Sequence, residues 1–561
     1  MKKERILVVG GLSAGPSAAA KARRENENAE IILFEKGANI SYATCGMPYA
    51  FSGVIENRDK LIVVKPELLR ERFNINVKLN EEVTDIDPEN KILSTPEGKY
   101  AYDKLIFATG ASSIVPPIKG LQNTTNWSTC RTMQDFDKIM AEVLPENAKN
   151  ITVVGSGLIG VEVAENLAEA GKNVTLIEGG SEVLPMWESH FGYFAHAVLE
   201  ENNINVINST FVHEFLTENN KITSVKLNEL EHLDTDFVIL SIGIKPNTDL
   251  LTRKGAEHLK NGALLVNEKM ETSLKDIYAA GDNAAIKNLQ TGEFDYFPLG
   301  THSNKGGRAA GANAAGKNIL FKGAYKTAII KVFDFTLART GLNAKALDVL
   351  NIPYKKVMSI AGATPSYYPN PKDLIIELYY HANTDEILGA ELFGAHGVDK
   401  RVDVLATAIY AKLKVSDLSQ LDLAYAPPFS PAKDPLVVTS FMAENISTDK
   451  CSQLNVVEFA EYLSPKNTDD YRIIDVRTVA EYQKGFIENA INMPLDSLRE
   501  TINSIQDKEK PVLIYCQKGL RGYIARLIFK HNGFKNVISL AGGYKLWEMH
   551  GKPATFANAI V

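Results

Sequence analysis

Short apolar runs recur along the chain, each closed by glycine or by a charge. ILVV at 6–9 ends in Gly10 and Gly11 and leads into AGPSAAAKARR, and IILF at 31–34 ends in Glu35. Uninterrupted runs of this length are typical of strands buried on both faces, and the alanine-rich stretch between them suits a crossover helix. The pattern returns at NITVVGSGLIGVEVAENLAEAG (150–171) and the NVTLIEGG after it. Between about 325 and 445 it changes: TAIIKVF, LIIELYY and ILGAELFG are strand-like runs beside one helical stretch, DVLATAIYAKL. After a polar stretch near AENISTDK, YRIIDVR and PVLIYC begin another strand-and-helix alternation. The expected class is α/β: two Rossmann-like dinucleotide-binding domains, an α+β domain and a C-terminal α/β domain.

At 561 residues the chain exceeds what one core organises, and about three to four domains are expected. Composition is that of a globular protein, with 45% apolar and 23% charged residues. A formal charge of −7 argues against nucleic acid as a partner. The opening MKKERILVVGG lacks an h-region of signal-peptide length, and no stretch approaches the roughly 20 apolar residues that span a bilayer. Neither a membrane partner nor a metal is expected, and the location expected is cytoplasmic. Four scattered cysteines (Cys45, Cys130, Cys451 and Cys516) suit a reducing compartment, where a special cysteine is redox-active or catalytic.

Residues 4–36 have the outline of a dinucleotide site. Glycines allow a tight turn, a helix N-terminus faces the pyrophosphate, and an acid, Glu35, stands ready for a ribose hydroxyl. Gly10 and Gly15 are in place, but Leu12 holds the middle glycine position. The second copy has the full GxGxxG as Gly155, Gly157 and Gly160, with Glu178 ending the next strand. A carboxylate there accepts from a 2′-hydroxyl and repels a 2′-phosphate, so NADH is the expected donor, with NADPH tolerance left open.

LIFATGASS (105–113) and TSLKDIYAAGDNA (272–284) add a strand entering a glycine turn and a strand ending in Gly281-Asp282. In this order and spacing, residues 4 to about 320 resemble the pyridine nucleotide–disulfide oxidoreductase family. The resemblance implies an FAD site at Gly10, Gly11, Gly15, Glu35, Lys36, Thr109, Gly110, Gly281 and Asp282, with Asp282 on the ribityl chain. It implies an NADH site at Gly155, Gly157, Gly160, Glu162 and Glu178. The implied domains are FAD-binding at 1–149 and 271–324, NAD-binding at 150–270 and dimerisation at 325–445.

Cys45 falls where this family places its redox cysteine over the flavin. The residue five further on is Ala50, so no resolving cysteine exists. Such a cysteine cycles through a mixed disulfide or persulfide with a small thiol, or through a sulfenic acid. SYATCGMPY together with AYAPPFSPAKDP (424–435) resembles the coenzyme A disulfide reductase branch. The peroxidase and oxidase branch carries a histidine where this chain has Ser13, which favours sulfur over peroxide. By the same resemblance Tyr425 and either Tyr367 or its neighbour Tyr368 act across a homodimer on the departing thiolate, Tyr367 being favoured. Lys21, Arg24, Ser41, Thr44, Asn304 and Arg308 are implied in binding coenzyme A, although Thr44 replaces the more usual asparagine.

After a linker at 446–455, residues 456–561 resemble a rhodanese domain. Cys516, Gly519 and Arg521 of CQKGLRG lie between a strand and a helix, in a loop whose backbone N–H groups form an anion nest. Such a nest favours a thiolate or persulfide, and Arg521 is expected to receive an anionic sulfur donor. A phosphatase-like loop is the weaker alternative, because CxxGxR is short for one. Cys130 and Cys451 have no such context and are read as structural or incidental.

The expected activity is reduction of coenzyme A persulfide, polysulfide and coenzyme A disulfide by NADH through FAD and Cys45, with Cys516 accepting and delivering sulfane sulfur. The alternatives are a coenzyme A disulfide reductase for thiol balance with an independent sulfurtransferase, or a rhodanese acting as a sulfur sensor.

Overall fold

Five parallel strands, in the order Ile277–Ala279, Lys104–Phe107, Arg5–Val9, Glu30–Glu35 and Asn76–Leu79, form the first sheet. The apolar runs of the sequence are its centre: Ile6, Leu7, Val8, Leu33, Leu105, Ile106 and Phe107 have no exposed surface. A second parallel sheet runs Asn205–Ile207, Asn173–Ile177, Asn150–Val154, Phe237–Leu240 and Trp127–Thr129. In each sheet the central strand (Arg5–Val9 or Asn150–Val154) turns on glycine into a helix, Ala14–Glu25 or Leu158–Glu169. The helix N-terminus therefore lies at the carboxyl edge of the sheet, where nucleotides bind in such folds.

The structure is a computed structural model describing residues 3–145, 148–227, 231–449, 453–463 and 470–549. It divides into two compact units: residues up to Ser181 with Asn203–Lys326, and Glu182–Asn202 with the chain from Thr327 onward. The segment Glu182–Asn202, expected with the NAD-binding residues, thus groups with the second unit. The cause is local: the Glu188 backbone N–H donates to Glu391 (2.8 Å), and His190 Nε2 lies 2.8 Å from the Glu377 carboxylate.

The second unit holds an antiparallel sheet in the order Ala328–Val332, Phe335–Gly341, Ile387–Gly394, Asp373–His381, Tyr354–Gly362. It also holds a parallel sheet in the order Gln453–Leu454, Val537–Leu540, Val512–Tyr515, Arg472–Asp475, Ala490–Asn492. The expected linker at 446–455 is only partly a connector. A helix, Pro435–Asp449, continues through the polar stretch, because Ala443 and Ile446 are buried and the Tyr380 hydroxyl donates to the Ala443 carbonyl (3.3 Å). Gln453 and Leu454 already belong to the parallel sheet. Cys451 lies outside the described residues. Among the described residues no helix is long and apolar enough to cross a membrane.

Candidate active site

A cleft of about 930 Å³ opens at the carboxyl edge of the first sheet, lined by Gly10, Gly11, Glu35, Lys36, Thr109, Gly110 and Arg131 among others. That volume lies in the range of roughly 300–1,000 Å³ usual for cofactor and small-molecule sites. The turn can exist only with glycine: Gly10 has φ +105°, and a Cβ on it would stand 2.1 Å from the Ala108 carbonyl oxygen. A Cβ on Gly15 would stand 1.8 Å from the Gly10 carbonyl oxygen, so helix and strand meet without a side chain between them. Glu35 accepts from the Gly11 and Gly37 backbone N–H groups (both 2.7 Å), which fixes its carboxylate on the cleft wall. These residues fit a dinucleotide such as FAD. Asp282 does not line the cleft; its carboxylate pairs with Arg131 (2.8 Å) and accepts from the Ser303 hydroxyl (3.3 Å), and Arg131 is the cleft-facing member.

The second glycine turn repeats this geometry, with Gly155 at φ +99° and a Gly160 Cβ 1.9 Å from the Gly155 carbonyl oxygen. A Cβ on Gly157 would meet no protein atom within 4 Å, so that side of the turn faces open space. Glu178 accepts from the Ser156 backbone N–H (2.9 Å) and hydroxyl (2.5 Å), and its other oxygen accepts from the Gly180 N–H (2.7 Å). The turn suits a dinucleotide's pyrophosphate, and the Glu178 carboxylate is fixed at the end of the adjoining strand. Glu162, on the helix after the turn, accepts from the Tyr49 hydroxyl (3.1 Å). Burial pushes the Glu162 carboxyl up to about 7, with Tyr49 opposing and Glu165 adding to the rise.

Cys45 is exposed and unbonded to another cysteine, in a turn, Thr44–Gly46, that leads into the short helix Met47–Phe51. Thr44 Oγ1 is 4.0 Å from its Sγ. A separate groove of about 650 Å³ is lined by Ser13, Ser41, Arg24, Asn304, Arg308 and also by Arg72 and Lys305. Leu12 and Tyr42 line both this groove and the 930 Å³ cleft, so the residue in the missing glycine position is a shared wall. Two of the expected residues are not in the groove's lining: Lys21 is buried with its ammonium on Glu25, and Thr44 sits beside Cys45.

In the other unit the Tyr367 and Tyr425 hydroxyls are 3.4 Å apart, on side chains that are 72% and 53% exposed. Tyr368, the rival, is only half-exposed and makes no such pair; its backbone N–H closes a turn onto Pro365.

Cys516 Sγ is buried and accepts from the Gly519 backbone N–H (3.1 Å). The Cys516 and Gln517 carbonyls are turned away, accepting from the Tyr544 (2.7 Å) and Lys545 (3.1 Å) N–H groups, as an amide nest requires. The Arg521 guanidinium is already paired: both oxygens of Glu481 accept from it, at 2.6 and 2.7 Å. Arg521 draws the Glu481 carboxyl down to about 2. Beneath the loop, buried Arg477 bonds Asp475 (2.7 Å) and Gln517 (3.2 Å), and its guanidinium lies 4.0 Å from the Tyr544 ring centre. Buried Cys130 has its thiol pushed well above the usual range, mainly by burial, and is chemically quiet.

Residues 4–304 match the pyridine nucleotide-disulphide oxidoreductase family, 327–436 that family's dimerisation domain, and 458–550 the rhodanese-like domain. The chain belongs to the pyridine nucleotide-disulphide oxidoreductase family. Members of this family are enzymes that use FAD and NAD(P)H. A Pyrococcus horikoshii NAD(P)H coenzyme A polysulfide/persulfide reductase is 33% identical over 439 residues, which is 78% of this chain and 97% of that protein. Reduced Bacillus anthracis CoADR-RHD superposes with a TM-score of 0.92 at 37% identity, covering 98% of this chain and 99% of that one. An NAD-dependent persulfide reductase from A. fulgidus superposes at 0.90 with 33% identity, covering 97% and 100%.

As an oxidoreductase of this family, the chain presents several site features that residue-by-residue reading did not single out. Arg72 and Lys305 add two cations to the groove, and Arg131, paired with Asp282, presents its guanidinium to the cleft. Glu481 and Arg477 organise the Cys516 loop. DVRTVAE (475–481) was the available signal for both, a buried-strand aspartate with an arginine and a capping-box glutamate behind it.

Proposed function

We propose that this protein is an NADH-dependent reductase of coenzyme A persulfide, polysulfide and coenzyme A disulfide, working through Cys45 as a homodimer and supplied with sulfane sulfur by Cys516. The observation that carries this reading is the cation-rich groove that shares Leu12 and Tyr42 with the cofactor cleft, combined with a lone, exposed Cys45. Arg24, Arg72, Lys305 and Arg308 suit the phosphates of coenzyme A, whose thiol arm would follow the shared wall towards Cys45. The relatives named for persulfide and polysulfide reduction support the same chemistry.

FAD, when bound in the cleft, supplies the two-electron relay between NADH and sulfur. Cys45 attacks as the thiolate. With a persulfide CoA–S–SH it bonds to the inner sulfur and displaces HS⁻; with coenzyme A disulfide it displaces CoA–S⁻. Both routes leave one bond to reduce, Cys45–S–S–CoA. Two electrons break it and return two thiolates, one on Cys45 and one on coenzyme A. Tyr367 and Tyr425, from the other protomer, donate hydrogen bonds or a proton to the departing sulfur. Cys516 takes a sulfane sulfur from a donor and passes it to coenzyme A, renewing the persulfide.

The test is anaerobic NADH oxidation by the FAD-loaded protein with coenzyme A persulfide, polysulfide, coenzyme A disulfide and hydrogen peroxide side by side. Turnover fastest on the sulfur substrates is expected. Fastest turnover on peroxide would overturn the reading and the weight given to Ser13 in favouring sulfur.

A further inference from the structure

The Cys516 loop and its floor carry cations that are already spoken for. Arg477 is bonded to Asp475, Arg521 to Glu481, and Lys518 and Lys545 share Asp373 (Lys518 at 2.9 Å). Four cations stand against three carboxylates. Arg521 ends the CQKGLR loop, is half-buried and is held in a fork by both oxygens of Glu481. That fork takes two of the five guanidinium N–H donors and neutralises the charge, which weakens the pull of Arg521 on a second anion.

We propose that Glu481 is a specificity-determining residue: by neutralising Arg521 it fits the Cys516 site to persulfide donors, R–S–SH, whose reacting sulfurs carry at most one negative charge, and against dianionic donors of the thiosulfate type. This rests on the reading of Cys516 as a sulfane-sulfur carrier and adds the class of its donor. In the favoured reaction the Cys516 thiolate bonds to the outer sulfur of R–S–SH. The donor's S–S bond breaks, its electron pair leaves with R–S⁻, and Cys516–S–SH remains. With thiosulfate the same attack would give Cys516–S–S⁻ and release sulfite, carrying two negative charges into and out of the site. With the Arg521 charge already paired to Glu481, the loop accommodates the smaller charge on the sulfurs of the first donor more readily than the two charges of the second. The other loop contacts fit this division: the Gly519 N–H already faces Sγ, where a persulfide's terminal sulfur can be stabilised without a guanidinium.

Glu481→Gln tests it, since glutamine at this helix position still accepts from the Thr478 N–H and keeps the cap while removing the charge. Full-length FAD-loaded protein is mixed with thiosulfate or with coenzyme A persulfide, and sulfur on Cys516 is followed by intact-mass spectrometry and by transfer to cyanide. Wild type is expected to load from persulfide far faster than from thiosulfate. In Glu481→Gln the thiosulfate-to-persulfide rate ratio should rise roughly tenfold or more, the worth of one charge-assisted hydrogen bond. Adding Arg521→Gln should remove that gain. A wild type that loads equally from both donors overturns the proposal without any variant, as does a ratio unmoved by Glu481→Gln while Cys516 still loads. No sulfur on Cys516 from either donor would overturn the carrier reading itself.

Discussion

The Tyr367 hydroxyl lies 3.4 Å from the Tyr425 hydroxyl, although 58 residues separate them and both side chains face solvent. Their mutual hydrogen bond raises the Tyr367 pKa above its ordinary value, which keeps that hydroxyl a donor. An exposed pair of phenols contributes little to one chain's stability, which directs attention to what a second chain would bring to it.

Tyr367→Phe and Tyr425→Phe should each lower kcat for coenzyme A disulfide by roughly 10²-fold, in the lower range for a positioned proton donor. The double variant should lose little more than either single one, because the pair acts as a unit. Steady-state NADH oxidation with each variant checks this, and strictly multiplicative losses would separate the two roles.

Arg24→Ala and Arg308→Ala should each raise KM for coenzyme A persulfide by roughly tenfold with kcat little changed, the loss of one charge-assisted contact. Lys21→Ala should leave KM close to the wild-type value, because its ammonium is committed to Glu25. A KM profile across ionic strength is the measurement.

Glu162 has a pKa of about 7, raised mainly by burial, against about 4.3 in an unfolded chain. The folded state therefore binds the extra proton between those values, and its stability falls as pH rises through that window. Glu162→Gln should flatten this dependence and raise the melting temperature above pH 7 by roughly a few degrees. Thermal melts of the two proteins at pH 5 and pH 8 decide it; parallel pH profiles would contradict it.

Burial pushes the Asp373 pKa up, but Lys545 and Lys518 outweigh it and hold the carboxyl below its usual value. A depressed acid gives stability that is present above the unfolded value of about 3.9 and is lost as pH falls through the folded value. Asp373→Asn should therefore lower the melting temperature by roughly a few degrees at pH 7, with the gap closing in acid. Calorimetry across pH 3–7 provides the check.

Much of this was legible because glycine turns and buried strands leave direct traces in sequence. ILVVGG and NITVVGSG announce strand, turn and helix through residue types that only that geometry needs, and Cys45 and Cys516 stand out by the company they keep. What stayed hidden depends on pairing across the chain. Lys21 and Arg24 look equivalent on one helix face until Glu25 claims the first. Arg521 looks like a free cation until Glu481, 40 residues away, folds onto it. The polar AENISTD reads as a linker because its burial comes from Tyr380 and its neighbours on another element.

The central claim is that sulfur is reduced on Cys45. Mixing FAD-loaded Cys45→Ser, Cys516→Ser and wild-type protein with NADH and coenzyme A persulfide without oxygen, and monitoring sulfide release with NADH consumption, tests it most directly. The account predicts one sulfide per NADH in the wild type and none from Cys45→Ser, even though NADH still bleaches its flavin. With donor persulfide and catalytic coenzyme A, Cys516→Ser should be slowed but not stopped. Sulfide released by Cys45→Ser at the wild-type rate would contradict the account.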